Sequence, residues 1–234
     1  MRVTRQTLFV FPHAGGSASF YVPFARTFTS GVKCVGIQYP GKKGTHDVSA
    51  LGSISDLADA AVKKLPAIGP DDSVSFFGHS MGALVAFEVA RRLDEQGSSI
   101  DNLFVSACAA PGHSGYDYIP DTDQGLLDAA SEMMGTNPEF LQNKEFAERI
   151  LPTLRGFKAI TKYQVDDDAT VSCPIYAYYA DDDEAATTEK VTPWKTRTTS
   201  EFAMRQFPGH HFYLTDHLAE LVSDIDQRIA DARS

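Results

Sequence analysis

The stretch Phe76-Phe77-Gly78-His79-Ser80-Met81-Gly82-Ala83-Leu84 sets a serine between two glycines, after an apolar run and ahead of a helical pattern. G-x-S-x-G in that setting is the pattern of a nucleophile elbow, where a buried strand turns sharply into a helix and holds a serine oxygen at its tip. Such a turn strains the serine backbone and crowds the positions two before and two after it, so Gly78 and Gly82 stand where a Cβ would collide. The chemistry served is acyl transfer. A serine hydroxyl is a poor nucleophile near neutral pH and needs a base within hydrogen-bond reach, itself fixed in one tautomer by a carboxylate. The pentapeptide alone also describes many ordinary Gly/Ser turns, so its weight comes from what surrounds it.

Elbow folds supply the partners in the order Ser, Asp, His from the ends of successive strands. Residues 174–179 read as a strand and run into Ala180-Asp181-Asp182-Asp183-Glu184; residues 201–207 read as a strand and run into Pro208-Gly209-His210-His211. An acidic triplet or a histidine pair alone is ordinary solvated surface. Their order along the chain is what marks them. Near the start, residues 7–11 form a strand-like run that ends at Pro12, before His13-Ala14-Gly15-Gly16. A glycine pair there leaves backbone N–H groups free, and the amides of Ala14 and Met81 are the expected oxyanion hole. A phosphate loop does not fit, since neither G-x-G-x-x-G nor a G-K-[ST] ending is present. His13 reads as a loop-ordering residue and not as a base, because the base must reach the serine from the far end of the sheet.

The elements that must position these residues follow from periodicity. Strands are expected at 7–11, 33–38, 73–77, 103–109, 174–179 and 201–207, and helices at about 53–65, 81–96 and 217–232, with a helical pattern through Phe20, Phe24 and Phe28. Alternating strands and helices predict an α/β fold, a mostly parallel sheet with helices on both faces. From about 113 to 168 the rhythm breaks into helical and irregular sequence with anchors such as Leu126, Leu127, Met133, Met134, Phe140 and Phe157, expected as a helical lid over the site. Its Met133-Met134 pair and aromatics suit an apolar acyl chain, and equally suit packing of the lid onto the body. A chain of 234 residues suits one such domain, 1–234.

A net charge of −10 argues against nucleic acid and anionic membrane surfaces as partners. The pairs Lys42-Lys43, Lys63-Lys64 and Arg91-Arg92 read as solvated surface. The four-residue apolar run before Pro12 is too short for a signal-peptide core, and no run reaches membrane-spanning length, so a soluble, cytoplasmic protein is expected. Cys34, Cys108 and Cys173 lie far apart in strand-like stretches, as reduced core thiols do.

Five motifs together carry a resemblance across almost the whole chain: F-P-H-A-G-G at 11–16, Q-Y-P-G at 38–41, F-G-H-S-M-G at 77–82, S-A-C-A-A-P-G at 106–112 and F-P-G-H-H-F-Y-L at 207–214. The chain resembles type II thioesterases, stand-alone α/β-hydrolase enzymes that accompany modular polyketide synthases and nonribosomal peptide synthetases, most strongly the actinobacterial, mycobacterial-like branch. The resemblance implies hydrolysis of acyl groups from the phosphopantetheine arm of acyl or peptidyl carrier proteins, clearing aberrant chains from the parent synthase, with no metal or redox cofactor. It matches Ser80 to the nucleophile, His211, which directly precedes an aromatic residue, to the base, and Asp183 to the acid, with Trp194 as the anchor between acid and histidine. The sequence departs from the family pattern at Ala180 and Glu184, which replace a glycine and a proline, and at His210, which replaces a glycine; Asp182 and His210 are therefore the fallback pair. A carboxylesterase or lipase using the same triad, and a non-catalytic module of the same fold, are the competing classes.

Overall fold

The computed structural model describes residues 6–39, 53–69, 72–113, 115–120, 122–134, 143–155 and 163–232. Among the described residues six strands, β1 (Gln6–Phe11), β2 (Lys33–Gly36), β3 (Ser73–His79), β4 (Asn102–Ser106), β5 (Ile175–Ala180) and β6 (Phe202–Phe207), form one sheet in the order β2-β1-β3-β4-β5-β6. Every pairing is parallel. Parallel neighbours need crossovers, and helices supply them: α1 (Val22–Thr27), α2 (Ile54–Val62), α3 (Met81–Glu95), α4 (Asp123–Met134), α5 (Lys144–Arg155) and the single turn α6 (Thr188–Val191), while α7 (Leu218–Asp231) follows the last strand.

Period-two alternation splits each strand between two cores. Phe9, Phe11, Val74, Phe76, Leu103, Val105, Ile175 and Ala177 face the core shared with α2 and α3. Leu8, Val10, Phe77, Phe104, Tyr176 and Tyr178 face the other, filled by Tyr21 and Phe24 and by Leu221, Val222, Ile225 and Ile229 of α7. Helices therefore cover both faces. Both faces being dry is why the strands read as continuous apolar runs. The chain leaves β1 for β2 on one side and returns to β3 on the other, so the order reverses between β1 and β3. In open α/β sheets ligands bind at such a point, beyond the carboxyl ends of the strands.

Several boundaries differ from those expected. The strand expected at 103–109 stops at Ser106, because Ala107 turns to φ 49°; residues 107–110 are apolar because they are buried, without belonging to the sheet. β2 ends at Gly36 and not at residue 38. The helical pattern through Phe20 is a 3-10 turn, Ala18–Tyr21, before α1 begins beside Pro23. Cys34 is only half-buried on β2, whereas Cys108 and Cys173 are buried; all three are free thiols.

α3 is dry on every side over residues 81–90. That includes Glu88, whose carboxylate accepts from Arg91 at 2.9 Å and from Tyr163 at 3.0 Å and pairs with Arg92 at 3.2 Å. Between β4 and β5 the chain inserts α4 and α5, which pack together through Leu126, Leu127, Ala130, Ala147 and Leu154, while Ala129 and Met133 join the main core. Phe140, Leu141, Phe157, Ile160 and the side chains of Met134, Phe146 and Ile150 lie outside the described residues, as do Pro40, Gly41, Lys42 and Lys43. Among the described residues no helix is long and apolar enough to cross a membrane.

Candidate active site

Ser80 sits between the last residue of β3 and the first of α3 at φ 54°, ψ −126°, a conformation that costs a non-glycine residue free energy. The flanking glycines have direct steric reasons. A Cβ on Gly78 would lie 2.3 Å from the carbonyl oxygen of Gly82 and 2.5 Å from the amide nitrogen of Ala83; one on Gly82 would lie 2.0 Å from the carbonyl oxygen of Phe11. The second contact also presses the start of α3 against the end of β1. Residues 12–14 are thereby brought beside the turn that carries Ser80.

The amide of Met81 opens α3, in the first turn whose N–H groups have no partner within a helix. Ala14 lies in a turn closed by the Gly16 N–H on the His13 carbonyl at 2.9 Å, with Gly15 at φ 76°. His13 organises that turn. Its Nδ1 is 2.8 Å from the Tyr21 hydroxyl, its ring fills the space where a Gly16 side chain would go, and Phe20 and Phe212 pack edge-on to it at 4.8 and 4.9 Å. Burial, with the nearby His211, lowers the His13 pKa to about 3. A ring that weakly basic suits a structural role and not a base working near neutral pH.

At the ends of β5 and β6 the structure joins one acid to one histidine. The Nδ1–H of His211 donates to Asp183 Oδ2 at 2.8 Å, and both side chains are 3 % exposed. Asp183 Oδ1 accepts from the Ala185 amide at 3.0 Å, capping a short 3-10 turn and leaving the carboxylate one orientation. The two loops are stitched by the Asp182 N–H on the Gly209 carbonyl and the Gly209 N–H on Asp181 Oδ1. Asp182 and His210 pair with each other in solvent. Trp194, fully buried in the connection between those strands, donates its Nε1–H to the Cys108 carbonyl at 2.9 Å and stands edge-on to Phe87 of α3. It ties the acid-bearing connection to the end of β4.

Three features of the site were not anticipated from the sequence. The Ser80 hydroxyl is 2.9 Å from the Tyr116 hydroxyl, both residues being buried, and the Tyr116 ring meets His211 edge-on at 6.4 Å. Tyr116 lies in irregular sequence before α4, where no periodicity marks it. Beneath the site runs a buried chain from His79 Nδ1 to the Ser106 hydroxyl at 2.9 Å and on to the Tyr213 hydroxyl at 2.7 Å. Burial pushes the His79 pKa well below its usual value, with His211 and His13 adding to the shift, and the ring lies 5.3 Å from that of His211. The third is Arg197, buried, whose guanidinium donates to the carbonyls of Pro111 at 3.1 Å and of Asp166 and Asp167 at 2.9 and 3.0 Å. It holds both ends of the inserted segment. Burial also raises the pKa of the Cys108 thiol, which keeps it protonated and poorly nucleophilic beside the site.

Comparison with known proteins converges on one family. The model of the thioesterase domain matches residues 6–229. Thioesterase TesA of Mycobacterium leprae is 48% identical over 228 residues, covering 96% of this chain and 87% of the relative. Among solved structures, the type II thioesterase BorB from the borrelidin biosynthetic cluster superposes with a TM-score of 0.81 at 32% identity, covering 98% of this chain and 94% of the other. YbtT, a type II thioesterase from the yersiniabactin pathway, gives 0.85 at 26% identity, covering 100% and 96%. With the sheet order, the elbow and these likenesses in agreement, the chain belongs to the thioesterase domain family and is a hydrolase of the type II thioesterase kind.

Proposed function

We propose that Ser80, His211 and Asp183 form the catalytic triad of an enzyme that releases acyl groups from the phosphopantetheine arm of acyl or peptidyl carrier proteins, serving a polyketide or nonribosomal peptide synthase. The observation that carries it is the buried 2.8 Å Asp183–His211 bond, at the same rim of the sheet as the strained Ser80. The structural relatives YbtT, from the yersiniabactin NRPS/PKS biosynthetic pathway, and BorB, from the borrelidin biosynthetic cluster, support the substrate class.

In the first half-reaction Ser80 Oγ attacks the thioester carbonyl as His211 takes its proton. The amides of Ala14 and Met81 hold the oxyanion, and the pantetheine thiol leaves with the proton from the imidazolium. Asp183 keeps the Nδ1 tautomer, so that Nε2 is the basic nitrogen, and stabilises the imidazolium. In the second half-reaction water, deprotonated by the same imidazole, attacks the acyl-serine and releases the free acid. We read the whole chain as one domain whose α4–α5 insertion is a lid over the acyl group, and the protein as cytoplasmic, where carrier-bound chains are made.

The test is turnover of an acyl-carrier thioester beside a simple oxygen ester of the same acid. Faster cleavage of the carrier thioester is expected, with Ser80→Ala reducing it by about 10⁴-fold or more. Near-normal hydrolysis by that variant would end the triad assignment; preference for the oxygen ester would make the enzyme an esterase.

A further inference from the structure

The nucleophile is covered. Ser80 is 2% exposed and Tyr116 3%, with their hydroxyl oxygens 2.9 Å apart. For reaction, a carbonyl carbon must come within about 3–3.5 Å of Oγ, which is the space the phenol now holds. Tyr116 also lines a cavity of about 220 Å³ together with Leu84, Cys108, Tyr163 and Gln164. That is below the roughly 300 Å³ at which pockets for drug-sized ligands begin, and suits a short acyl group.

Resting on the thioesterase function above, we propose that Tyr116 is a specificity-determining cap: its phenol occupies the place of the substrate's acyl group in the free enzyme, and its displacement joins Ser80 to the cavity behind it. The loop that carries it is suited to this. Gly112, at φ 86°, begins it with a residue that accommodates large backbone changes. Gly115 seats it closely on the turn after Asp183, since a Cβ there would lie 2.2 Å from the Ala185 carbonyl oxygen. Burial keeps the phenol protonated, so its link to Oγ is between two neutral hydroxyls. Release of such a bond on substrate entry corresponds to a rate change of roughly two- to tenfold.

Two measurements on Tyr116→Phe and Tyr116→Ala test this: the second-order rate of Ser80 labelling by a small fluorophosphonate, and kcat and KM on acyl-pantetheine thioesters of increasing chain length. Tyr116→Phe should raise the labelling rate and kcat/KM by roughly two- to tenfold at every chain length. Tyr116→Ala should in addition move the preference toward longer or branched chains, chiefly through KM. Rates at or below wild type for Tyr116→Phe in both assays would overturn the cap, and an equal loss in kcat and kcat/KM would assign the hydroxyl to the transition state instead. Thermal unfolding checks both variants, and if the alanine variant fails to fold the phenylalanine variant decides. Absence of thioester turnover by the wild type would overturn the parent function, with the labelling rates still deciding the cap.

Discussion

His210 and Asp182 form a solvent-facing counterpart of the buried pair one residue further along each loop: Nδ1 lies 3.0 Å from the carboxylate, but the side chains are 62 % and 72 % exposed against 3 % and 3 % for His211 and Asp183. An exposed pair of this kind contributes little, because water screens it and side-chain entropy opposes it. His210→Ala and Asp182→Asn should therefore keep kcat/KM for a carrier thioester within about threefold of wild type. His211→Ala should lose about 10⁴-fold or more, and Asp183→Asn a comparable amount through the wrong imidazole tautomer. Steady-state kinetics on the four variants checks this, and equal losses from His210 and His211 would show that the buried pair is not the working one.

His13 and His79 are both held neutral in the fold, His13 with a pKa of about 3 and His79 well below its usual value. In the unfolded chain each titrates near 6.5. As pH falls below about 6.5 the unfolded state binds protons that the native state refuses, so stability is fully present above that pH and is lost on acidification toward 3. Each histidine adds up to about 1.4 kcal/mol per pH unit to the slope in that window. Urea unfolding from pH 4.5 to 7.5 should show it, and His13→Asn should flatten the curve by one proton's worth.

Much of the scaffold was legible because parallel strands buried on both faces leave apolar runs, and because the elbow needs glycines where the chain has them. What escaped has physical reasons. Residues 107–110 are as apolar as a strand yet leave the sheet at Ala107, since hydrophobicity reports burial and not hydrogen bonding. Among Asp181, Asp182 and Asp183 the composition is identical. Family matching favoured Asp183, but the geometry that orients it, a 3-10 cap and the stitching of Asp182 to Gly209, exists only once two distant loops meet. Tyr116 and Arg197 act by convergence of segments far apart in the chain, which leaves no local pattern at all.

Gly82 is required for contact and not for an unusual dihedral, because its missing Cβ lets α3 touch the backbone of β1 at Phe11. Gly82→Ala should cost about 3 kcal/mol or more, at or beyond the upper range for overpacking, and should abolish labelling of Ser80 by displacing the turn. Gly97→Ala is the contrast: φ is 76° there, but nothing lies within 4 Å of the new Cβ, so the cost is confined to backbone strain of about 1–2 kcal/mol. Denaturant midpoints for the two variants separate steric from conformational cost. Similar small losses would mean that the elbow can relax away from β1.

Arg197 governs the inserted segment from outside it. Its donors reach Pro111, just after β4, and Asp166 and Asp167, ahead of β5, so one buried guanidinium fixes both ends of the stretch that carries Tyr116. Arg197→Ala takes the side-chain donor from the buried Pro111 carbonyl, whereas Asp166 keeps the Ala169 amide and Asp166 and Asp167 face solvent, so a loss of about 1–3 kcal/mol is expected. Arg197→Lys should recover only part of it, because an ammonium is a compact point charge and cannot spread its donors as the planar fork does. The local consequence is sharper than the global one. The amides of His113 and Ala169, which bond to the carbonyls of Ala110 and Asp166, should exchange with solvent faster in Arg197→Ala than the fall in global stability accounts for. If their exchange only tracks the denaturant midpoint, Arg197 is a general stabilising residue and the two ends of the insertion are held by something else.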